Sequence, residues 1–391
     1  MKYKLAYTGL IFLIYIFGKN IPLYGVDLSV YTDKSAGAED VLMQMISGGA
    51  NNYSIFALGI YPFMISGILV QVAFAIRNLF SKTKVSPKVM GYASVTVTLI
   101  IAVLQTIVQV SELEFAVAEE MINRTRVIAG LEMITGTMVI LWLAGRNKRY
   151  GVGGPMSFGL VNILERNAMI LLSYNMKNLV QPLLISMFMM VVTLVMENAE
   201  MRIPLQRVSI HNIYADKNYM AIKLNPIGVM PVMFTSAVFM LPQLLVALLS
   251  FFFPGHTGVA WWLENMSLTK SFGIFIYVVC EYLLTIGLSM IMINPKDITQ
   301  QFLKSGDSIV NLHAGRDTRR YLRRTLWNIS FFSATIMGIF VAVPLILQMK
   351  GKVDGTLAML PISIMMMTSF WCNIFRELVS IHKYDSCQPL F

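Results

Sequence analysis

Charge is what this chain has least of. Only 13% of its 391 residues are Asp, Glu, Lys or Arg, where a soluble globular domain carries about 25%. Cysteine is scarce as well. Cys280, Cys372 and Cys387 make an odd count, and the first two sit in apolar runs, so a disulfide framework is not expected. His211, His256, His313 and His382 are scattered without ligand spacing, which points to no metal site. No Walker-type phosphate loop occurs. The Gly151-Val152-Gly153-Gly154 run follows a basic segment rather than a strand and lacks the Lys-Ser/Thr pair. No nucleophile stands at helical spacing from a base, so nothing reads as an enzyme, and no cofactor is expected.

What fills the chain instead is apolar sequence: 56% hydrophobic residues and a mean hydropathy of +0.64. That composition belongs to an all-α, multi-spanning membrane protein. Apolar runs of about one bilayer thickness, ~20 residues, place spans near 5–22, 54–76, 92–110, 127–144, 156–174, 179–197, 226–253, 272–293, 327–348 and 356–379. The fifth is interrupted by Glu165 and Arg166, and it is kept because an even count puts both termini on one side. The formal charge is +10. With the termini inside, most of the basic residues fall in inner loops, and the outer loops lean acidic at Glu112, Glu114, Glu119 and Glu120. Topology thus accounts for the charge, and no nucleic-acid partner is needed.

Two inner loops are longer than connectors require. Residues 198–225 alternate apolar and polar around His211-Asn212 and Asp216-Lys217-Asn218, the pattern of a β-hairpin. Residues 294–326 crowd Arg316, Arg319, Arg320, Arg323 and Arg324 together. An orientation signal alone would need fewer residues, so docking of a partner is the stronger reading. Within the membrane, Glu132 and Glu281 stand alone. Either a relay role or a bond to a neighbouring helix suits them. The 29 Met suit either a soft, adaptable lining or ordinary packing.

One phrase occurs twice. Gly59-x-x-Pro62-x-Met64 lies in the second span and Gly228-x-x-Pro231-x-Met233 in the seventh. An offset of five spans inverts the second copy in the membrane, as in inverted-topology repeats with a site at their interface. Each proline reads as mid-helix, at a cost of roughly 3 kcal/mol in a soluble helix, which is tolerated where a broken helix lines a cavity. To this point a channel and an ion-coupled small-molecule transporter fit equally.

Several stretches then narrow the choice: Phe17-Gly18-x-x-Ile21-Pro22-x-x-Gly25-Val26-Asp27, Ser54-Ile55-Phe56-Ala57-Leu58-Gly59-Ile60-x-Pro62, Met201-Arg202-Ile203-Pro204-Leu205-Gln206, Asn225 to Pro242, Asn294-Pro295-Lys296-Asp297, Lys304-Ser305-Gly306, and Gly315-x-x-Thr318-x-x-Tyr321-Leu322. In this order they resemble the SecY family, the channel subunit of the bacterial protein translocon, over nearly the whole chain. The resemblance implies ten transmembrane helices in two inverted five-helix halves, 1–175 and 176–391, around a central pore. It implies a pore ring of Met64, Ile68, Leu160, Leu164, Met233 and Leu360. A re-entrant plug would occupy about 38–52, with Val41, Leu42, Met45, Ile46, Gly48 and Gly49. A lateral gate would involve Pro62, Gln71, Gln105 and Pro231, the two glutamines bonding across the seam. Contacts to a SecA-type motor ATPase would fall at Arg202, Lys304, His313, Arg316, Arg319 and Arg320.

Further expectations follow from the same likeness: a plasma-membrane location with both termini cytoplasmic, small SecE- or SecG-like subunits or accessory equivalents, and a secreted preprotein as substrate in contact with membrane lipids. The chain departs from the family's habit at His313 and Met201, where Arg is usual, at Gly151 to Ser157, and in its Met- and Leu-rich ring. These departures are similar to those of the accessory branch of some Gram-positive bacteria, which exports Ser-rich glycosylated adhesins. The alternative is the housekeeping branch, for general secretion.

Overall fold

A computed structural model describes residues 2–27, 53–80, 86–117, 119–207, 218–252, 261–262, 265–351 and 353–387. The plug positions, Val41, Leu42, Met45, Ile46, Gly48 and Gly49, and the hairpin tip at 208–217 lie outside the described residues. So do His211 and His256.

The elements run α1 (Lys2–Lys19), α2 (Tyr61–Phe80), α3 (Pro87–Glu112), α4 (Ile122–Tyr150), α5 (Met156–Ser173), α6 (Met176–Asn198), β1 (Glu200–Arg207), β2 (Tyr219–Lys223), α7 (Met230–Phe252), α8 (Ser271–Met292), α9 (Pro295–Ser305), β3 (Asp307–Ile309), α10 (Arg316–Met349) and α11 (Gly355–Cys387). Among the described residues, six of the helical segments are long and apolar enough to cross a membrane: those of α3, α4, α6, α8, α10 and α11. Their outward faces are covered with large apolar side chains, such as Leu184, Met187, Phe188 and Val195 on α6. A water-exposed helix does not carry such a face, whereas lipid tails require one.

The two Gly-x-x-Pro copies have the same local form, and it is not the mid-helix kink expected from sequence. Gly59 and Gly228 both take positive φ, 53° and 73°. Two residues later the helix begins, at Tyr61 and at Met230, so Pro62 and Pro231 are each the second helical residue. Proline is cheap there, because the first-turn N–H groups have no intrahelical acceptor to lose. The glycine, free of a Cβ, supplies the left-handed turn that aims the helix.

The helix expected to start near 54 therefore starts at Tyr61. Residues 53–60 are irregular and buried in protein, which is where membrane-depth backbone without a helix is tolerated. Their backbone is tied to the end of α1: the Leu23 N–H donates to the Tyr53 carbonyl (2.7 Å) and the Ile55 N–H to the Ile21 carbonyl (3.0 Å). Phe56 stacks on Tyr15, centroids 6.0 Å apart. The Ile55 carbonyl lies where a Cβ on Gly136 of α4 would stand.

The apolar run expected as the fifth span is one continuous helix, α5. Its interruption is explained by a partner that sequence spacing hides: Lys19, at the end of α1, pairs with Glu165 at 2.5 Å. Tyr15 donates to Asn162 Oδ1 at 2.9 Å beside it. A charge inside a span is costly unless paired, and here α1 supplies the counter-charge.

The expected hairpin forms. β1 and β2 pair antiparallel from Glu200↔Lys223 to Pro204↔Tyr219. β3 adds on the other edge of β1, from Leu205↔Ile309 to Arg207↔Asp307, giving the order β2-β1-β3. Pro204 stands where pairing passes from one neighbour to the other, so its missing N–H breaks no continuous ladder. The third strand ties the two long loops into one unit. The loop expected over 294–326 is shorter than it reads: α10 starts at Arg316, so the arginine cluster belongs to a continuous helix.

Candidate functional site

The largest buried apolar cluster joins both halves of the sequence. It contains Tyr61, Ile65 and partly buried Met64 of α2, Ile101 of α3, Leu160 and Ile163 of α5, Val232, Met233 and Phe239 of α7, Tyr277 of α8, and Leu360, Met365, Met366 and Phe370 of α11. Of the six ring candidates, Leu160, Met233 and Leu360 belong to this cluster and Met64 packs against it. Ile68 is buried outside this cluster. Leu164 is 43% exposed and is not among the converging side chains. It follows Leu160 by four residues and so shares its helix face by spacing alone. Glycine at position 159 makes the convergence tight: a Cβ there would sit 3.3 Å from Phe370 and 3.6 Å from the Met233 methyl.

The seam between α2 and α7 is closed by a hydroxyl, not by the glutamines. Tyr61 donates to the Ser236 carbonyl across it at 3.2 Å. Behind that bond, the Ser236 and Tyr277 hydroxyls bond at 2.9 Å, which links α7 to α8. Gln71 instead lines a cleft between α2, α3 and α4. Gln105 is buried on α3, and its Oε1 has no hydrogen-bond partner among the described residues. The expected bond between Gln71 and Gln105 is thus not formed, because the two face different neighbours. Pro62 and Pro231 start the two helices that meet at this seam.

A polar network holds the start of α7, and it was not anticipated from sequence. Glu197, at the end of α6, is 1% exposed. Its Oε1 accepts from the Ser369 hydroxyl at 2.6 Å, and its Oε2 pairs with Arg376 at 3.5 Å. Arg376 also donates to the Glu197 carbonyl. Ser369 in turn accepts from the Val229 N–H at 3.3 Å. Asn225 Oδ1 accepts from the Gly228 N–H (3.1 Å) and from the Ser333 hydroxyl (3.1 Å). Nearby Lys223 has its ammonium pushed below the usual lysine range, by burial first and then by the Arg376 charge. The turn at Gly228 is thus clamped by α6, α10 and α11. The only sequence signal was an acid, Glu197, at the boundary of an apolar run.

The two intramembrane acids resolve differently. Glu132 Oε2 accepts from the Tyr24 N–H at 3.0 Å, which is a structural bond. Glu281 is fully buried on α8, and its Oε1 accepts from Thr285 at 3.0 Å. Among the described residues, no group of three or more His, Cys, Asp or Glu is placed to hold a metal ion.

The sheet presents the basic candidates. Ile203, Ile222 and Ile309 from its three strands pack against Leu322, Leu326 and Ile329 of α10, with Ile298 and Phe302 of α9 alongside. This inward face orients the outward one. Arg202 is exposed on β1 and stacks over Tyr219, 4.8 Å from its ring centroid. Lys304 ends α9, and Arg316, Arg319 and Arg320 open α10, all of them exposed. His313 is exposed before α10, and its carbonyl accepts from the Thr318 hydroxyl at 2.9 Å.

These features define a polytopic helical membrane protein with a large apolar cluster drawn from both halves of the sequence and basic side chains exposed around the sheet. The SecY family model matches residues 54–369. The chain belongs to the SecY family. It is 26% identical to the accessory Sec system protein translocase subunit SecY2 of Leuconostoc gelidum subsp. gasicomitatum, covering 99% of this chain and 96% of the relative. It is 28% identical to the protein of that name from Staphylococcus aureus, covering 99% and 95%, and 28% identical to that from Streptococcus agalactiae, covering 96% and 92%. The fold matches a solved structure described as "The structure of a protein conducting channel" with a TM-score of 0.69 at 17% identity, covering 97% of this chain and 93% of that one.

Proposed function

We propose that this protein is the protein-conducting channel of an accessory Sec system in the bacterial plasma membrane. The observation that carries the reading is that Met64, Leu160, Met233 and Leu360, from four helices spread over both halves of the chain, belong to one apolar cluster. An apolar constriction of this kind dewets and so blocks ions. It forms no specific bond to a passing chain, and methionine is flexible enough to close around varied side chains. A chain in transit would displace these side chains rather than react with them, so the function asks for no catalytic residue.

In this reading α1, α2, α5 and α7 join the six segments named above as spans, making ten. The halves 1–175 and 176–391 are inverted repeats, the shared Gly-turn and Pro start of α2 and α7 being what supports the pairing. Residues 38–52 act as the plug. The α2–α7 seam, latched by Tyr61, parts sideways for apolar segments. Both termini and the sheet platform face the cytoplasm, where Arg202, Lys304, His313, Arg316, Arg319 and Arg320 meet a SecA-type motor that supplies the energy. SecE- and SecG-like subunits, or their accessory equivalents, pack outside, and the substrate is a Ser-rich glycosylated adhesin.

Depletion of the protein in its host separates the accessory from the housekeeping role. The expected result is loss of one surface glycoprotein with general secretion intact. A general secretion failure would assign the housekeeping role instead.

A further inference from the structure

We propose that Glu281 is a proton-binding site, a neutral carboxylic acid while α8 lies against α10, which gives its proton to water when the two helices part. Glu281 stands near the middle of α8 and is fully buried. Its Oε1 accepts from the Thr285 hydroxyl at 3.0 Å. Its Oε2 has no hydrogen-bond partner among the described residues. That second oxygen lies beside Gly338 of α10, where an added Cβ would stand 3.2 Å from it and 2.7 Å from the Tyr282 ring. The missing side chain at 338 is what admits the carboxyl group between the helices.

No cation faces this carboxyl. The helices that pack most extensively on α8 are α10 and α7. α7 has no titratable residue from Met230 to Phe252, and α10 has none from Thr325 to Met349. On α8 itself the titratable neighbours are Tyr277, Cys280 and Tyr282. The Tyr277 hydroxyl is engaged by Ser236, and the Tyr282 ring packs edge-on against Phe331, centroids 6.2 Å apart. Glu197 is the contrast within the same molecule. It is as deeply buried, but it has Arg376 and the Ser369 hydroxyl beside it. A buried acid without such partners takes a proton rather than stay ionised. Tyr277, Glu281, Thr285 and Ser289 follow one another at four-residue steps, all of them buried, so α8 presents one polar stripe. Lifting α8 from α10 brings water to that stripe. Tyr277 ties the same helix to Ser236 of α7, so a shift of α8 reaches the seam. A proton on Glu281 requires α8 in the membrane but no polypeptide in transit, and either reading can fail without the other.

Infrared spectroscopy of the full chain in nanodiscs reads the acid directly, because the carbonyl stretch of a protonated carboxyl is separate from the carboxylate bands. At neutral pH the parent is expected to show that stretch, shifted down slightly in heavy water, and Glu281→Gln to lose it. Isotope-labelled glutamate in the parent moves the same band, so its assignment to a glutamate does not depend on how well the variant folds. Gly338→Ala pushes the carboxyl out of its place and weakens the band at fixed pH. Gly287→Ala, on α8 with open space at its Cβ, leaves it unchanged. The packed helices favour the neutral acid, so raising the pH costs the parent stability that Glu281→Gln keeps. The unfolding temperature of the parent is therefore expected to fall relative to Glu281→Gln from mildly acid to mildly alkaline buffer. Absence of the band in the parent overturns the proposal, as does an unchanged band in Gly338→Ala or equal pH dependence in parent and Glu281→Gln. A carboxylate band that responds to sodium also overturns it, since Glu281 would then hold a metal cation.

Discussion

Arg376 and Glu197 show how one residue pair helps to fix the turn that starts α7. Glu197 is nearly inaccessible, and Arg376 is the cation beside it. Removing only the cation leaves a buried carboxylate with Ser369 as its remaining side-chain partner. Arg376→Ala is expected to destabilise the protein by about 1–3 kcal/mol, read as a lower unfolding temperature in detergent. Glu197→Gln in the same background restores part of that loss, because a neutral amide needs no counter-charge. A double variant no more stable than Arg376→Ala would show that the pairing is not what Arg376 contributes. At the seam, Tyr61→Phe removes the bond to the Ser236 carbonyl and keeps the ring. The expected effect is about 1 kcal/mol, roughly fivefold in favour of the open seam. It is read as faster disulfide-trapping of a signal segment between α2 and α7, and an unchanged rate would exclude the latch. Gly136→Val forces a side chain into the Ile55 backbone. It is expected to cost about 1–3 kcal/mol, checked by the same unfolding measurement.

Elements were legible where composition is extreme. The apolar runs located the long helices, though not the polar turns that carry α10 back to Arg316 and α11 on to Cys387, and the alternation over 198–225 gave the β1–β2 hairpin. What composition hides is pairing over distance. Nothing in Asp307-Ser308-Ile309 announces a strand, since its only reason to extend is the edge of β1 far upstream. The start of α2 was misplaced for a related reason. Ser54 to Ile60 are as apolar as a helix, but their backbone is held by Ile21 and Leu23. The proline then reads as a kink when it is a helix start. The platform gives the prediction proper to this scale. Arg319→Glu with Arg320→Glu leaves Ile203, Ile222, Ile309 and Leu322 packed, so the protein should fold normally while its binding to the motor weakens at least tenfold. Equal motor affinity and equal translocation in the variant would remove these residues from the contact.

Across the whole molecule, helices from both halves of the sequence share one apolar cluster, and basic side chains lie exposed around the sheet. Much of the candidate site could be read from sequence only through resemblance: Met64 and Met233 follow their Gly-Pro phrases, but nothing local says that Leu160 and Leu360 meet them. Leu164 and Gln71 show the opposite failure, in which a residue that matches by position faces elsewhere in this chain. Glu197, Tyr61 and Lys19 were missed because each acts through a partner more than a hundred residues away, as in Lys19 with Glu165 and Tyr61 with Ser236. The central claim is that the cluster around Met233 is the passage for a polypeptide. The most direct measurement places a photo-crosslinker at Met64 or Met233 and arrests a substrate in transit. The account predicts a covalent adduct to the translocating chain at both positions. Adducts to lipid alone, with the substrate demonstrably halfway across, would contradict it.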